Sequence, residues 1–199
     1  RLFETGNLEE QRFAEDLKGI GCEVHCTDPD TGRQFEATAV SGHFICKPDG
    51  VACGIPEAPK TWHVLEFKTM GGEESQSKDF EKVRKDGVKS AKPLHYAQVM
   101  VGMALMKLTR GLYLIKKKAT DELHAERLRY SADESKQFLD RAERVICAQQ
   151  PPERCANRPD DFRCRFCDAS DLCWNVGQAA VPLPCKSCRT CCHSTPEID

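Results

Sequence analysis

Residues 42–68 read GHFICKPDGVACGIPEAPKTWHVLEFK, and the fold that we predict for the chain follows from this stretch. It holds one strand candidate at residues 42–52, a Pro-containing loop, and a short apolar strand at residues 62–68. Asp49 lies near the end of the first run and Glu66 near the end of the second. We therefore expect two neighbouring strands that present their acidic residues at the same place.

The second run ends in Glu66-Phe67-Lys68. Alternate residues of a strand share a face, so Glu66 and Lys68 point the same way and Phe67 points into the core. Two carboxylates, Asp49 and Glu66, together with the Phe67 backbone carbonyl form an oxygen set that suits Mg²⁺ or Mn²⁺. Such an ion polarises a phosphodiester, while Lys68 orients water or stabilises charge. A Glu and a Lys two positions apart are also common on protein surfaces.

Three further polar residues are candidates for the same site, each with a simpler alternative. Glu10 lies one helical turn before the residues expected to form the buried face of the first helix. It is either a metal ligand or a glutamate at the start of the helix that the helix dipole stabilises. Gln98 lies on the apolar helix face formed by Leu94, Val101 and Leu105, so it is either an active-site residue or a satisfied core amide. His43 lies six residues before Asp49, so it faces the same side on an extended strand, as a metal ligand or as a structural histidine.

The rest of the chain supplies helices and strands around this stretch. Helices are expected at residues 8–19, 94–108 and 132–149, strands at 22–26, 34–38, 111–116 and 123–130, and a polar surface helix or mobile loop at 76–90. The helix at 94–108 is expected to bury the face formed by Leu94, Ala97, Val101, Leu105 and Leu108. The order predicts an α/β (α+β) fold with a mixed central β-sheet flanked by helices.

Bulk composition is that of a globular protein. The 199 residues are 40% hydrophobic and 30% charged, with a net charge of −2. A charge this close to zero neither supports nor excludes nucleic acid as a partner. The chain has no apolar run of 18 or more residues, so we expect no membrane partner.

Cysteines are the most unusual feature of the composition. There are 13, and eight of them fall between Cys155 and Cys192. This clustering favours metal binding in a reducing compartment over disulfides, and hence a cytoplasmic location. Residues 151–199 are accordingly expected to form a Cys-rich metal-binding tail that follows a core at residues 1–150.

Two groups in this tail have the spacing of metal ligands. The first group has four thiolate ligands that suit zinc or an iron–sulfur cluster: Cys155, Cys164, Cys167 and Cys173. The second group is a possible zinc site or a tail with free thiols, and it comprises Cys185, Cys188, Cys191, Cys192 and His193. Spacing alone does not separate Zn²⁺ from [4Fe–4S].

Four short motifs together resemble a known family. The chain has G-x-x-x-E ending at Glu10, a GH…DG run that contains Asp49, the E-x-K of Glu66, and an H-Y-x-Q helix ending at Gln98. This set resembles the PD-(D/E)xK nucleases, in particular the lambda-exonuclease-like and RecB-like branch and its CRISPR-associated relatives. The resemblance covers roughly residues 1–173. It implies a restriction-endonuclease-like core and Mg²⁺- or Mn²⁺-dependent cleavage of DNA.

The resemblance also assigns roles to individual residues. Asp49 and Glu66 would bind metal, Glu10 would complete the metal site, and Lys68 would be catalytic. Gln98 would be the glutamine of the family's Q-x-x-x-Y motif. The chain departs from that motif, because Gly102 stands where the family has tyrosine.

The resemblance also suggests which residues would contact DNA. Tyr96 is a candidate to replace the tyrosine, although its spacing is unfavourable. Lys117 or Lys118 would face the nucleic-acid backbone. Some relatives also carry a [4Fe–4S] cluster that uses a cysteine from the N-terminal region, a role open here to Cys22 or Cys26.

The function implied is a DNA exonuclease of phage recombination or replication, acting in the host cytoplasm if phage-encoded. A single-strand annealing protein would be its partner, and oligomers occur among the relatives. Two alternatives remain at this stage. One is a zinc-ribbon adaptor that binds DNA or protein on a degenerate nuclease core, and the other is a structure-specific endonuclease on the same core.

Overall fold

The strand that carries Glu66 and Lys68 lies at the centre of a five-stranded sheet. The computed structural model describes residues 2–70, 74–150, 152–165, 167 and 169–174, without the side chains of residues 2–7 and 74–77. Its helices are α1 (Leu2–Gly19), α2 (Glu74–Ala91), α3 (Pro93–Met106), α4 (Ala132–Ile146) and α5 (Ser170–Trp174). Its strands are β1 (Glu23–His25), β2 (Ala37–Ala39), β3 (Phe44–Cys46), β4 (Gly50–Cys53), β5 (His63–Met70), β6 (Arg110–Lys117) and β7 (Leu123–Arg129).

The main sheet is mixed, with strand order β1-β4-β5-β6-β7. Strands β5 and β6 are parallel, and the other neighbouring pairs are antiparallel. A parallel pair needs a crossover connection, which α2 and α3 supply here. The predicted α/β class, a mixed central sheet flanked by helices, is confirmed. Among the helices of the described residues, none combines the length and apolarity that a bilayer crossing requires.

Both faces of the sheet are covered near β5. On one face Leu65 and Phe67 pack against α1, where the Phe67 and Phe13 rings stack with centroids 5.0 Å apart. On the other face Val64 and Met70 join the core that α2 and α3 cover. A strand buried on both faces reads as a continuous apolar run, so the polar residues Glu66 and Lys68 within it are exceptional.

The single strand expected at residues 42–52 is two strands in two different sheets. Among the described strands β3 pairs with β2 alone, whereas β4 belongs to the main sheet. The chain turns between them at Lys47–Asp49. Pro48 explains the break, because proline donates no hydrogen bond to a ladder and is excluded from the middle of a sheet.

The polar stretch at 76–90 is a helix packed on the core, not a surface helix or loop. Although most of its residues are polar, it contributes three fully buried side chains, Phe80, Val83 and Val88. The helix α2 is interrupted at Gly87, which has φ 78°. The last turn of the helix begins after Gly87. Its first N–H group, that of Val88, donates to Glu126 Oε2 at 2.6 Å.

The buried face of α3 also differs from the prediction. Val101 is buried as expected, but Leu94 is 80% exposed. The helix instead buries mainly Tyr96, Val99, Met100 and Met103. Most positions from 97 to 106 are apolar, so the pattern does not select one face. Close packing on β6 does, because a Cβ at Gly111 would lie only 2.5 Å from Val99 Cγ1.

Candidate active site

Asp49 lies where β5 extends beyond its neighbour β4. The ladder between these strands ends at the pair Gly50 and Leu65. Just outside it, the Asp49 N–H donates to the Leu65 carbonyl at 3.2 Å, and Asp49 Oδ2 accepts the Phe67 N–H at 2.6 Å. The side chain thus replaces the next rung of the ladder. This places its carboxylate beside Glu66, where a neighbouring strand was expected to bring it.

Gly50 makes this arrangement possible. A Cβ at Gly50 would lie 2.6 Å from the His25 carbonyl oxygen and 3.2 Å from Cys26 Cα, both backbone atoms of the β1 segment. A side chain at this position would push β4 away from β1. Because Asp49 is the preceding residue, that shift would also move its carboxylate.

Three oxygens converge on the ammonium group of Lys68. Lys68 Nζ lies 2.5 Å from Glu66 Oε1, 3.1 Å from the Phe67 carbonyl oxygen and 4.0 Å from Asp49 Oδ2. The Glu66 and Asp49 side chains are only 5% and 12% exposed, and the Lys68 side chain is 29% exposed. The oxygens therefore face a common position that a cation fills, at the edge of the buried core.

Burial raises the pKa of the carboxylates in this cluster, because it disfavours their charged form. It raises the pKa of Glu66 to about 7, although the Lys68 ammonium acts in the opposite direction. Burial likewise raises the pKa of Asp49 despite Lys68 and the Phe67 N–H. For Lys68, burial lowers the pKa but Glu66 and Asp49 outweigh it, so the net shift is upward. One ammonium does not balance the local negative charge, and a further cation would be stabilised there.

Glu10 adds a third carboxylate. Its pKa is raised by burial and then by the charge of Asp49, and Lys68 opposes the shift. The structure therefore brings Glu10 within electrostatic range of the cluster. Since α1 begins at Leu2, Glu10 lies in the middle of the helix. The alternative of a helix-start glutamate stabilised by the dipole is wrong, because that effect is confined to the first turn.

The ligand chemistry of the cluster fits a hard divalent cation. Glu66 Oε1 is buried, and the Lys68 ammonium at 2.5 Å is its partner in the described part of the chain. Carboxylate and carbonyl oxygens are the ligands that Mg²⁺ and Mn²⁺ prefer. Within the same residues, no group of three or more His, Cys, Asp or Glu side chains is arranged to hold a metal ion. The oxygens converge instead on Lys68, whose ammonium occupies the position of a cation.

Two of the expected site residues lie elsewhere or differ in environment. His43 lies in the turn between β2 and β3, in the two-stranded sheet, so no single strand aligns it with Asp49. Gln98 was expected as a buried amide, but it is exposed. Its backbone carbonyl lies 3.9 Å from Cys46 Sγ.

Gly102, at the position where the resembled motif has tyrosine, is closely packed. A Cβ there would lie 3.2 Å from Val64 Cγ1, 3.7 Å from Pro48 Cγ and 3.8 Å from Cys46 Sγ. The position is thus part of the core beneath the Asp49 turn. An aromatic ring at residue 102 would displace that turn.

The structure separates the three candidates for DNA contact. Tyr96 is buried and its hydroxyl donates to Glu134 of α4 at 2.6 Å, so it is a packing residue. Lys117 is paired with Glu81 and Glu122, each at 3.3 Å. Lys118 is exposed, and no carboxylate of the described residues pairs with its ammonium.

Sequence reasoning missed three residues near the cluster. Tyr113 lies opposite Glu66 in the parallel β5–β6 pairing, and His95 of α3 contacts its hydroxyl. Burial and the charges of Glu66 and Asp49 raise the pKa of Cys46 to about 11. Strand register would have identified Tyr113. No sequence signal indicated Cys46, which precedes the break at Pro48.

The four cysteines of the first group differ in exposure and do not converge on one point in the described residues. Cys164 is buried, Cys173 is half-buried, and Cys155 and Cys167 are exposed. All four thiols are free, and they form no metal site in this part of the chain. The second group, Cys185, Cys188, Cys191, Cys192 and His193, lies outside the described residues. Of the N-terminal candidates, Cys22 is buried beside Cys53, and Cys26 lies within range of the charges of Asp49 and Glu10.

Comparison with known proteins adds similarities of fold. No family model matches the chain, and no curated protein matches it. The crystal structure of SSO0001 is similar with a TM-score of 0.49 and 16% identity, covering 86% of this chain and 69% of that one. LHK-Exo in complex with dAMP is similar with a TM-score of 0.47 and 15% identity, covering 69% of this chain and 62% of that one. LHK-Exo alone, an alkaline exonuclease from Laribacter hongkongensis, has a TM-score of 0.42 and 16% identity, covering 69% of this chain and 66% of that one.

Proposed function

We propose that this chain is a metal-dependent DNA nuclease of the PD-(D/E)xK superfamily, with Asp49, Glu66 and Lys68 at its centre. One observation carries the proposal. The buried carboxylates of Asp49 and Glu66 and the Phe67 carbonyl all face one cation position, and a lysine two residues after Glu66 reaches it. The sequence motifs that surround these residues agree with the same family.

Asp49, Glu66 and the Phe67 carbonyl would hold Mg²⁺ or Mn²⁺, with Glu10 as an additional carboxylate. When bound, the ion would polarise the phosphodiester and lower the pKa of a water molecule. Asp49 is fixed for this task by its hydrogen bond from the Phe67 N–H at 2.6 Å. Burial keeps the cluster partly free of water, which strengthens its electrostatic interactions.

Lys68 has a separate role in the proposal. Its raised pKa means that it remains an ammonium ion near neutral pH, so it is a poor general base. It instead stabilises the negative charge that develops on the phosphoryl oxygens and orients the attacking water. Glu66 holds the ammonium at 2.5 Å, and an ion bound by Glu66 would displace the ammonium towards the phosphate.

The finer features of the proposal rest on the sequence resemblance. We infer an exonuclease of phage recombination or replication, with a core at residues 1–150 and a Cys-rich tail at 151–199. Cys155, Cys164, Cys167 and Cys173 would bind Zn²⁺ or a [4Fe–4S] cluster. DNA would be the substrate, with Lys118 on its backbone, and a single-strand annealing protein would be the partner.

The decisive experiment follows end-labelled linear duplex DNA with Mg²⁺, Mn²⁺ or EDTA, beside the Lys68→Ala variant. We expect metal-dependent loss of label that the variant lacks. A covalently closed circle of the same sequence is the matched substrate. Resistance of the circle supports an exonuclease, whereas nicking of the circle indicates the structure-specific endonuclease.

A negative result is equally informative. If neither metal supports cleavage while circular dichroism shows a folded protein, the nuclease proposal is wrong. Retained binding of the same DNA in that case would favour the adaptor on a degenerate core. Equal cleavage by the wild type and Lys68→Ala would contradict the assignment of the centre.

A further inference from the structure

His95 lies on α3 beside the candidate centre and is held by a buried phenol. Its Nδ1 is 2.7 Å from the Tyr113 hydroxyl. Tyr113 is fully buried, and it lies directly opposite Glu66 in the β5–β6 register. Residues paired in this way share a face of the sheet, so the Tyr113–His95 pair flanks Glu66 on the side of α3.

The buried environment determines which tautomer His95 adopts. Among the described residues, Nδ1 of His95 is the one partner of the Tyr113 hydroxyl. A neutral phenol has one proton to donate, and leaving it without an acceptor inside the core is costly. Burial and the charge of Glu66 raise the pKa of Tyr113, so the phenol stays neutral. Tyr113 therefore donates to Nδ1, and the proton of the imidazole is on Nε2.

The surroundings of His95 leave it a neutral hydrogen-bond donor. The charged groups that act on its pKa are Lys68, Lys92 and Asp79. Lys92 and Asp79 form an ion pair of 2.5 Å, and Lys68 is paired with Glu66. Burial together with these lysines keeps the imidazole neutral, with its pKa lowered to about 4. No side chain of the described residues accepts a hydrogen bond from Nε2, and the ring is only half-buried.

We propose that His95 is a substrate-contacting residue that donates its Nε2–H to a non-bridging oxygen of the scissile phosphate, while Tyr113 fixes the required tautomer. The inference rests on the proposed nuclease function and deepens it, because it names the substrate group that α3 contacts. No proton is transferred, and His95 stays neutral throughout. A fixed donor aimed at an oxygen that gains negative charge contributes to the rate because it needs no reorganisation.

Two substitutions at His95 separate contact from packing. The amide oxygen of His95→Asn can accept from Tyr113 in place of Nδ1, but the side chain has no donor at the position of Nε2. The longer side chain of His95→Gln can place its amide N–H near Nε2. We expect kcat of His95→Asn to fall by about 10²–10³ with little change in KM, as for loss of a single oxyanion donor. His95→Gln should recover at least one tenth of the wild-type kcat.

A purely structural role predicts a different result. Both variants would then lose activity in proportion to their loss of Tm, and glutamine would give no rescue. If the wild type cleaves DNA and His95→Asn cleaves equally well, this inference is wrong and the nuclease proposal stands. If the wild type cleaves no DNA, the nuclease proposal fails and the phosphate contact fails with it.

A readout that needs no activity tests the tautomer. Imidazole ¹⁵N spectra of the metal-free protein, with His95 assigned by its absence in His95→Asn, should show a neutral ring protonated at Nε2 at pH 7. Tyr113→Phe should remove the preference, since the donor to Nδ1 is lost. Protonation at Nδ1 in the wild type would overturn the proposal.

Discussion

Two clusters of lysine and carboxylate side chains lie at the ends of the neighbouring parallel strands β5 and β6. The central cluster comprises Asp49, Glu66 and Lys68, whose side chains are 12%, 5% and 29% exposed. The peripheral cluster comprises Glu81, Lys117 and Glu122, whose side chains are 42%, 14% and 45% exposed. Both have one lysine between two carboxylates, so a list of ion pairs would not separate them.

The direction of the carboxylate pKa shift does separate them. Hydrogen bonds from Thr120 and Lys117 lower the pKa of Glu122. Burial raises the pKa of Glu66 to about 7, although Lys68 is closer to it than Lys117 is to Glu122. The peripheral carboxylates are already satisfied, whereas the central ones are buried at a cost that a further cation would relieve. A perturbed carboxylate, rather than an ion pair, is therefore the better indicator of a functional site.

The largest expected difference between the clusters is in catalysis. Lys68→Ala should lower the cleavage rate of linear DNA by about 10³-fold or more, because a preorganised charge at the reacting phosphate is lost. Lys117→Ala is the matched control, since it removes the same group from the next strand, and we expect a change of less than about threefold. Initial rates at saturating DNA and Mg²⁺ measure both. Similar losses in the two variants would remove the functional distinction between the clusters.

Gly50→Ala tests how strictly the central cluster depends on backbone packing. The added Cβ would meet the His25 carbonyl at 2.6 Å, so β1 and β4 must separate. We expect a loss of roughly 3 kcal/mol in the free energy of unfolding, together with reduced cleavage as Asp49 moves. Gly19→Ala is the control, because a Cβ there meets nothing within 4 Å, and it should leave stability unchanged or slightly raised. Urea denaturation of both variants measures the difference, and equal stabilities would contradict the packing argument.

The free energy of unfolding should depend on pH because of Glu66 in the central cluster. Since the folded-state pKa of Glu66 is raised above its ordinary value of 4.5 to about 7, the native state binds a proton more tightly than the unfolded chain. This contribution is complete below the unfolded pKa and is lost as pH rises through about 7. In EDTA, we expect the free energy of unfolding to fall by on the order of 2 kcal/mol between about pH 5 and pH 8.

Two variants assign this pH dependence to its source. Glu66→Gln has no charge to bury, so its unfolding free energy should fall much less over the same range. Glu122→Gln should keep the wild-type fall, because its pKa is shifted in the opposite direction at an exposed site. Addition of Mg²⁺ at pH 8 should stabilise the wild type and not Glu66→Gln. An identical pH slope in wild type and Glu66→Gln would show that the burial cost has been misassigned.

The sequence predicted the central cluster better than it predicted its surroundings. Glu66 and Lys68 were predicted to share a face because strand alternation is a local rule, and β5 follows it. Asp49 was expected beside them from a neighbouring strand, and it lies in the turn just before β4. Pro48 was not treated as a strand breaker, so β3 and β4 were merged into one predicted strand. That error is also what placed His43 on the same strand as Asp49.

The buried faces of the helices could not be predicted from local sequence patterns. α2 was predicted to be a surface segment because most of its residues are polar, although Phe80 and Val83 form part of the core. α3 is apolar on nearly every side, so its face is set by the close approach to Gly111 of β6, which is a tertiary contact. The same contact turns Gln98 outwards and points Tyr96 towards α4. Residues such as His95 and Tyr113 were missed because their proximity depends on strand register.

The smallest expected effect concerns DNA binding at the end of β6, and it uses the peripheral cluster itself. Lys118 is exposed and has no carboxylate partner among the described side chains, whereas Lys117 is paired with Glu81 and Glu122. If Lys118 contacts a phosphate, Lys118→Ala should weaken the affinity for duplex DNA a few-fold and lower the slope of log K against log salt by about 1. Fluorescence anisotropy in EDTA, where cleavage is blocked, measures both values.

Lys117→Ala should leave the salt slope unchanged, because the lysine releases no DNA counterion while its charge is neutralised within the protein. The adjacent positions make this a strict comparison, since the two variants carry the same change in net charge. Equal slopes for both would mean that net charge alone acts on DNA. A lower slope for Lys117→Ala only would mean that DNA displaces Glu81 and Glu122 from Lys117, so the peripheral cluster would belong to the DNA-binding surface. The salt dependence therefore decides whether satisfied ion pairs stay intact when this protein meets its substrate.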